Sequence, residues 1–121
     1  MAAHEMEGSK MSGRKSRNKG SGYERELVNW FKEQGCFAER VPLSGATSYS
    51  KSDVDLYITG KKGIDKPDYI IEAKRRASLP AWIKKGFDDA ADLVVIREDR
   101  GESYVVQRLD EWMKLARNYS A

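Results

Sequence analysis

Asp55, Glu72 and Lys74 are the residues of this 121-residue chain whose types and spacing could do chemistry together. Glu72 and Lys74 stand two apart in Asp68-Tyr-Ile-Ile-Glu-Ala-Lys74. On an extended strand they project from the same side, leaving Tyr69, Ile71 and Ala73 on the other. Asp55 lies in Asp53-Val-Asp-Leu-Tyr-Ile58, where polar and apolar residues alternate, and sixteen residues separate it from Glu72. A hairpin-length connection can lay these two strands antiparallel, so that two carboxylates and one ammonium converge. Carboxylates placed in this way repel unless a cation joins them. Hard oxygen ligands suit Mg²⁺, which keeps several waters and takes one or two carboxylates, and the Ala73 carbonyl could add a ligand. Such an ion acidifies a bound water and neutralises charge on a phosphoryl group under attack. Lys74 could orient the water, stabilise that charge, or act as a base if its pKa were lowered. For an isolated Glu-x-Lys the plain alternative is an exposed salt bridge, worth about 0–1 kcal/mol.

Other catalytic schemes lack parts. His4 is the only histidine, and it falls in a stretch without apolar periodicity. Cys36 is the only cysteine. It cannot close an intrachain disulfide or anchor a zinc site, and reads as a small buried apolar residue. Serine, cysteine and histidine nucleophile schemes are therefore excluded. The net charge of +3 and pI ≈ 9.0 agree with a polyanionic partner, and the distribution says more than the total. Lys10, Arg14, Lys15, Arg17 and Lys19 crowd residues 1–20 with no acid after Glu7. That stretch reads as a flexible basic arm that can neutralise phosphates or merely solubilise. No run of about 18 apolar residues occurs and no secretory signal is visible, so the expectation is a cytoplasmic protein without a membrane partner.

The elements that must hold the three residues can be read from periodicity. Tyr23, Leu27, Trp30 and Phe31 recur at helical spacing, which predicts a helix over Gly22–Gln34 stopped by Gly35. Glu24 falls at the edge of that apolar stripe and Glu26 points further away. Cys36–Val41 reads as a strand ended by Pro42, and Leu43–Ser52 as a loop. After the two strands of the hairpin, Pro80 opens a short helix over Ala81–Asp89. Leu93–Ile96 reads as a buried strand, and Tyr104–Val106 pairs back to it across a charged turn. A last helix runs over Leu109–Asn118, with Leu109, Trp112, Met113 and Ala116 facing inward. The order is α-β-β-β-α-β-β-α, an α/β domain over 21–121 with a central mixed β-sheet flanked by helices. The Trp residues fall on apolar helix faces and read as core or dimer surface, while Lys84 and Lys85 read as a solvated face.

The spacing Asp55-(x16)-Glu72-Ala73-Lys74 resembles the PD-(D/E)xK nuclease motif, with Val54 where many members have proline. The chain is further similar to archaeal-type Holliday junction resolvases and their phage relatives. The similarity runs through Glu24-Arg25-Glu26-Leu27, Gly35-Cys36-Phe37, Arg40, Ser44-Gly45, Val54-Asp55-Leu56 and Ile71-Glu72-Ala73-Lys74-Arg75. It covers residues 13–76; residues 77–121 look closer to small phage endonucleases of the same fold. The resemblance implies a restriction-endonuclease-like single domain. It implies Glu24, Asp55 and Glu72 as metal-site acids, Lys74 as a catalytic residue, and Arg40 and Ser44 near the scissile phosphate. The DNA-binding candidates are Arg14, Lys15, Arg17, Lys19, Arg25, Arg40, Ser44, Arg75 and Arg76. Asp53 shares the Asp55 face and is a weaker candidate ligand. The expected activity is Mg²⁺-dependent (Mn²⁺ substituting) cleavage of four-way DNA junctions by a homodimer in a prokaryotic or phage-infected cell. The alternatives are a PD-(D/E)xK DNA endonuclease without junction selectivity and a non-catalytic DNA-binding module of the same fold.

Overall fold

The structure, a computed structural model, describes residues 22–41 and 53–120, the last two without their side chains. The basic arm, His4 and the Ser44 loop lie outside the described residues. Helix α1 covers residues 22–33 and is followed by β1 (Phe37–Arg40), β2 (Val54–Tyr57) and β3 (Tyr69–Ile71). Then come α2 (Ala81–Asp88), β4 (Leu93–Arg97), β5 (Ser103–Gln107) and α3 (Leu109–Ser120). The order of elements is the one the periodicities predict. The expectation of one mixed sheet is corrected: the described strands form two antiparallel sheets, β1-β2-β3 and β4-β5. The chain divides into two compact units, Met1–Arg75 and Arg76–Ala121.

In the first unit α1 buries Leu27 and Phe31 of the predicted stripe and Val28 beside them, while Tyr23 and Trp30 are half-buried. Its end is set by Gly35, whose φ of 88° is open to glycine at little cost. The Cys36 N–H donates to the Phe31 carbonyl at 3.0 Å and the Gly35 N–H to the Lys32 carbonyl at 3.0 Å, a Schellman ending that satisfies two orphan carbonyls. Cys36 is buried, as its type suggests. Strand β2 lies between β1 and β3 and is buried along its whole length, the polar positions of its alternation included. Val54 and Leu56 are fully buried, and Phe37 meets Tyr57 edge-on across β1 and β2. The turn after β2 touches the end of α1. A Cβ on Gly60, which has φ 87°, would sit 2.8 Å from the Gly35 carbonyl oxygen.

The second unit is a ribbon, β4 and β5, with α2 against β4. Gly86 lets the helix come close, since a Cβ there would lie 2.7 Å from a Val94 methyl carbon. Arg108 stacks over the Phe87 ring at 4.8 Å. Lys84 and Lys85 pair with Asp88 and Asp89 on an exposed face, as expected. The reading of Leu93–Ile96 as a buried strand is corrected. Leu93 and Val95 are exposed on the ribbon face away from Val94, where α2 approaches, and Ile96 is exposed although it shares the Val94 face. Register puts Leu93, Val95 and Val105 on one side, away from Val94 and Val106. In α3, Met113 and Ala116 are buried and Trp112 partly so, whereas Leu109 is exposed.

Two substitutions test this backbone reading. Gly60→Ala adds a methyl group against the Gly35 carbonyl at a left-handed position, and should destabilise by about 2 kcal/mol. Ala90 ends α2 with φ 68°, so Ala90→Gly should stabilise by about 0.5–1 kcal/mol. Urea unfolding followed by circular dichroism measures both, and equal midpoints for the two variants would contradict the assignment.

Candidate active site

The register of the first sheet decides which acids meet. Glu39 stands opposite Asp55, and Asp55 opposite Ile70. Arg40, Val54 and Ile71 align one step along, on the other face. By alternation Glu72 and Lys74 follow Ile70 on the Asp55 face, with Glu72 diagonal to Asp55. The ladder itself stops at Ile71, before the tripeptide. Asp53 carries the alignment onward. Its N–H donates to the Ile71 carbonyl at 2.9 Å, its carbonyl accepts from the Val41 N–H at 2.9 Å, and its Oδ2 accepts from the Ala73 N–H at 2.7 Å. At the far end of the hairpin Asp68 Oδ2 accepts from the Ile58 N–H at 2.8 Å. Asp53, weighed as a ligand from sequence, thus has a hydrogen-bonding role that holds Glu72-Ala73-Lys74 in place.

Asp55 is the one buried charged residue among those described, at 7% exposure, and its Oδ1 has no hydrogen-bond partner among them. Burial pushes its pKa above the ordinary carboxylate value, the negative charge of Glu39 adds to this, and Lys62 opposes it. Lys62 reaches back from the β2–β3 connection to Glu39 Oε1 at 2.8 Å. The hydrogen bond to Glu39 holds the Lys62 ammonium pKa above its usual value.

The other predicted residues form pairs. Glu24 Oε1 accepts from Arg40 Nε at 3.1 Å, which joins two of them across α1 and β1. Lys74 Nζ lies 3.2 Å from Glu72 Oε1, with both side chains largely exposed. Glu24, Asp55 and Glu72 are not gathered into one group: no set of three or more His, Cys, Asp or Glu placed to hold a metal occurs among the described residues. Register gives a reason, since Arg40 lies by alternation on the face opposite Asp55. Ala73 is buried, and Arg25, Arg75 and Arg76 are exposed. Arg14, Lys15, Arg17, Lys19 and Ser44 lie outside the described residues. Sequence reasoning missed Glu39, Lys62 and the clamp by Asp53. Glu39 shares a predicted strand with Arg40, and only the register reveals that it faces Asp55.

The family described as "Archaeal holliday junction resolvase (hjc)" matches residues 15–118. The chain belongs to the archaeal Holliday junction resolvase family. The restriction-endonuclease-like α/β architecture expected from sequence agrees with membership of this resolvase family. Comparison with curated proteins and with solved structures returns no match. No helix among the described residues is long and apolar enough to cross a membrane.

The residues fit a divalent cation in one respect that can be checked. Asp55 is a desolvated carboxylate with an open oxygen, facing a second carboxylate, and a cation relieves both conditions. Without a cation the same features weaken the fold. The folded pKa of Asp55 lies above its unfolded value, so the protonated form favours folding. That contribution is complete below the unfolded pKa and is lost as pH rises through the folded one. Asp55→Asn should therefore raise the melting temperature of the metal-free protein at pH 7 by about 5 °C, equivalent to roughly 1 kcal/mol. The gain should shrink as pH falls through the folded pKa. A melting temperature that drops at pH 7 would show that Asp55 is a stabilising residue instead.

Proposed function

We propose that this chain is a divalent-metal-dependent endonuclease that hydrolyses phosphodiester bonds in four-way DNA junctions and works as a homodimer. The match to the archaeal Holliday junction resolvase family over residues 15–118 carries this reading. The buried, open Asp55 on the sheet face that leads to Glu72 and Lys74 supports the metal dependence. Asp55, Glu72 and the Ala73 carbonyl would hold the ion, and Glu24 would join them as a further acid only on leaving its pair with Arg40. Mg²⁺ suits this oxygen set and Mn²⁺ should substitute. When bound, the cation supplies positive charge against the phosphate oxygens and acidifies an attacking water.

The chain's own residues supply position and charge. Asp53 fixes the backbone at Ala73, so Glu72 and Lys74 keep a constant offset from Asp55. Lys74 has three N–H donors. One faces Glu72, and the others can meet a phosphate oxygen or orient the water. Arg25, Arg40, Arg75 and Arg76, together with Arg14, Lys15, Arg17, Lys19 and Ser44, would hold flanking phosphates. Arg40 is itself held by Glu24, which fixes the direction of its guanidinium.

A four-way junction needs paired cuts, which suits a symmetric dimer. The open ribbon face with Leu93, Val95 and Val105 is an apolar surface of the kind that dimers cover. Val95→Lys should shift the protein from dimer to monomer in size-exclusion chromatography with light scattering. A wild-type monomer at micromolar concentration would refute the dimer.

The substrate claim is tested by offering equal amounts of a four-way junction and a linear duplex with Mg²⁺. The junction should be cut preferentially. Glu72→Gln should reduce cutting by about a hundred-fold or more while junction binding persists. Equal cutting of both substrates would remove junction selectivity and leave a nuclease. No cutting by wild type in Mg²⁺ or Mn²⁺ would leave only a binding module.

A further inference from the structure

Glu39 and Asp55 are direct cross-strand partners, two carboxylates on neighbouring strands of one sheet face. Like charges directly opposite one another in a sheet are destabilising, and burial of one of them makes the pairing worse. Two observations show how the structure meets this. Lys62 Nζ binds Glu39 Oε1 at 2.8 Å, and Asp55 Oδ1, on a side chain more than nine-tenths buried, is left with no partner among the described residues. The ammonium therefore partners the outer acid, while the inner acid stays open beside it.

We propose that Glu39 is an additional acid of the cation site, held in the metal-free protein by Lys62, which occupies the place in the charge balance that the cation takes. The inference rests on the metal-dependent reading above and extends its ligand environment to β1. Glu39 and Lys62 are both partly exposed, so their pair is cheap to separate. When a divalent cation binds Asp55, the Glu39 carboxylate turns from Lys62 toward the cation, directly or through a bound water. Lys62 is then released, and its ammonium becomes available to a phosphate of the substrate. One ion pair thus links cation arrival to a new positive charge at the edge of the site.

The two members of this pair should act on cation binding in opposite directions, and the Glu39 effect should persist at high salt, where the through-space influence of an exposed charge is screened. Mn²⁺ binding to the full chain, without DNA, can be followed by electron paramagnetic resonance of the free ion. Glu39→Gln should weaken Mn²⁺ binding by about ten-fold. Lys62→Gln removes the competing cation and should tighten it. Glu39→Asp should restore part of the affinity lost in Glu39→Gln, and melting temperatures establish that each variant is folded. Unchanged affinity in both Gln variants, or weakening in both, would overturn the proposal. Asp55→Asn separates this from the underlying reading. If it abolishes Mn²⁺ binding while Glu39→Gln does not weaken it, Glu39 lies outside the site. If Asp55→Asn leaves binding intact, the cation site itself is misplaced and the proposal falls with it.

Discussion

Three hydrogen bonds at Asp53 hold the candidate site together. The residue sits just before β2 and bonds to the segments on both sides, through its N–H to Ile71, its carbonyl to Val41 and its side chain to Ala73. The last of these is decisive because the backbone ladder between β2 and β3 has already ended. Past that point the chain Glu72-Ala73-Lys74 would be free to choose its own direction. A carboxylate accepting a backbone N–H forms a stronger bond than a neutral acceptor does, so a single side chain can continue the alignment. Asp68 does the same at the opposite end of the hairpin. The short strands of this sheet therefore gain definition from carboxylates at their ends, and the offset between Asp55 and Lys74 follows from it.

What the sheet positions is a residue that does not favour the fold. Asp55 is buried on the central strand, faces Glu39, and leaves one oxygen without a partner among the described residues. Each of these is unfavourable for a carboxylate, and together they raise its pKa. A sequence optimised only for stability would place an apolar residue here, between Val54 and Leu56. Departures of this kind cluster where a protein binds or reacts. Asp55 thus points to a ligand of positive charge through its physical situation as well as through its place in the motif.

Much of this was legible in the sequence, and the parts that were not share one cause. The helical stripe of α1, its glycine stop and the antiparallel hairpin carrying Asp55 and Glu72 all follow from local pattern, which depends on neighbours a few residues away. Register does not. Whether Glu39 faces Asp55 or falls one residue off depends on how β1 pairs with β2 across the intervening loop, and a one-residue slip would turn Glu39 to the other face. Glu24, implied by resemblance as a metal-site acid, pairs with Arg40 between α1 and β1, a contact that local pattern likewise does not show. The same limit explains the misreading of β4. An apolar run such as Leu93–Ile96 signals burial only if something covers both faces, and pairing with β5 alone leaves one face open.

The charges around the sheet show a consistent division. Arg40 partners Glu24, Lys62 partners Glu39 and Lys74 partners Glu72. Each of these pairs is at least partly exposed, and such pairs contribute little to stability and separate readily. Among the described acids only Asp55 is buried, and it has no such pair. An arriving polyanion can therefore take over the three basic groups one at a time at small cost, each exchange replacing a carboxylate with a phosphate. The exchanges at Lys62 and Lys74 also leave Glu39 and Glu72 without their cations on the sheet face of Asp55, which already carries an uncompensated charge. The growing negative charge makes a divalent cation progressively more favourable at the site. Substrate and cation should thus bind cooperatively for an electrostatic reason, and that coupling needs no large conformational change.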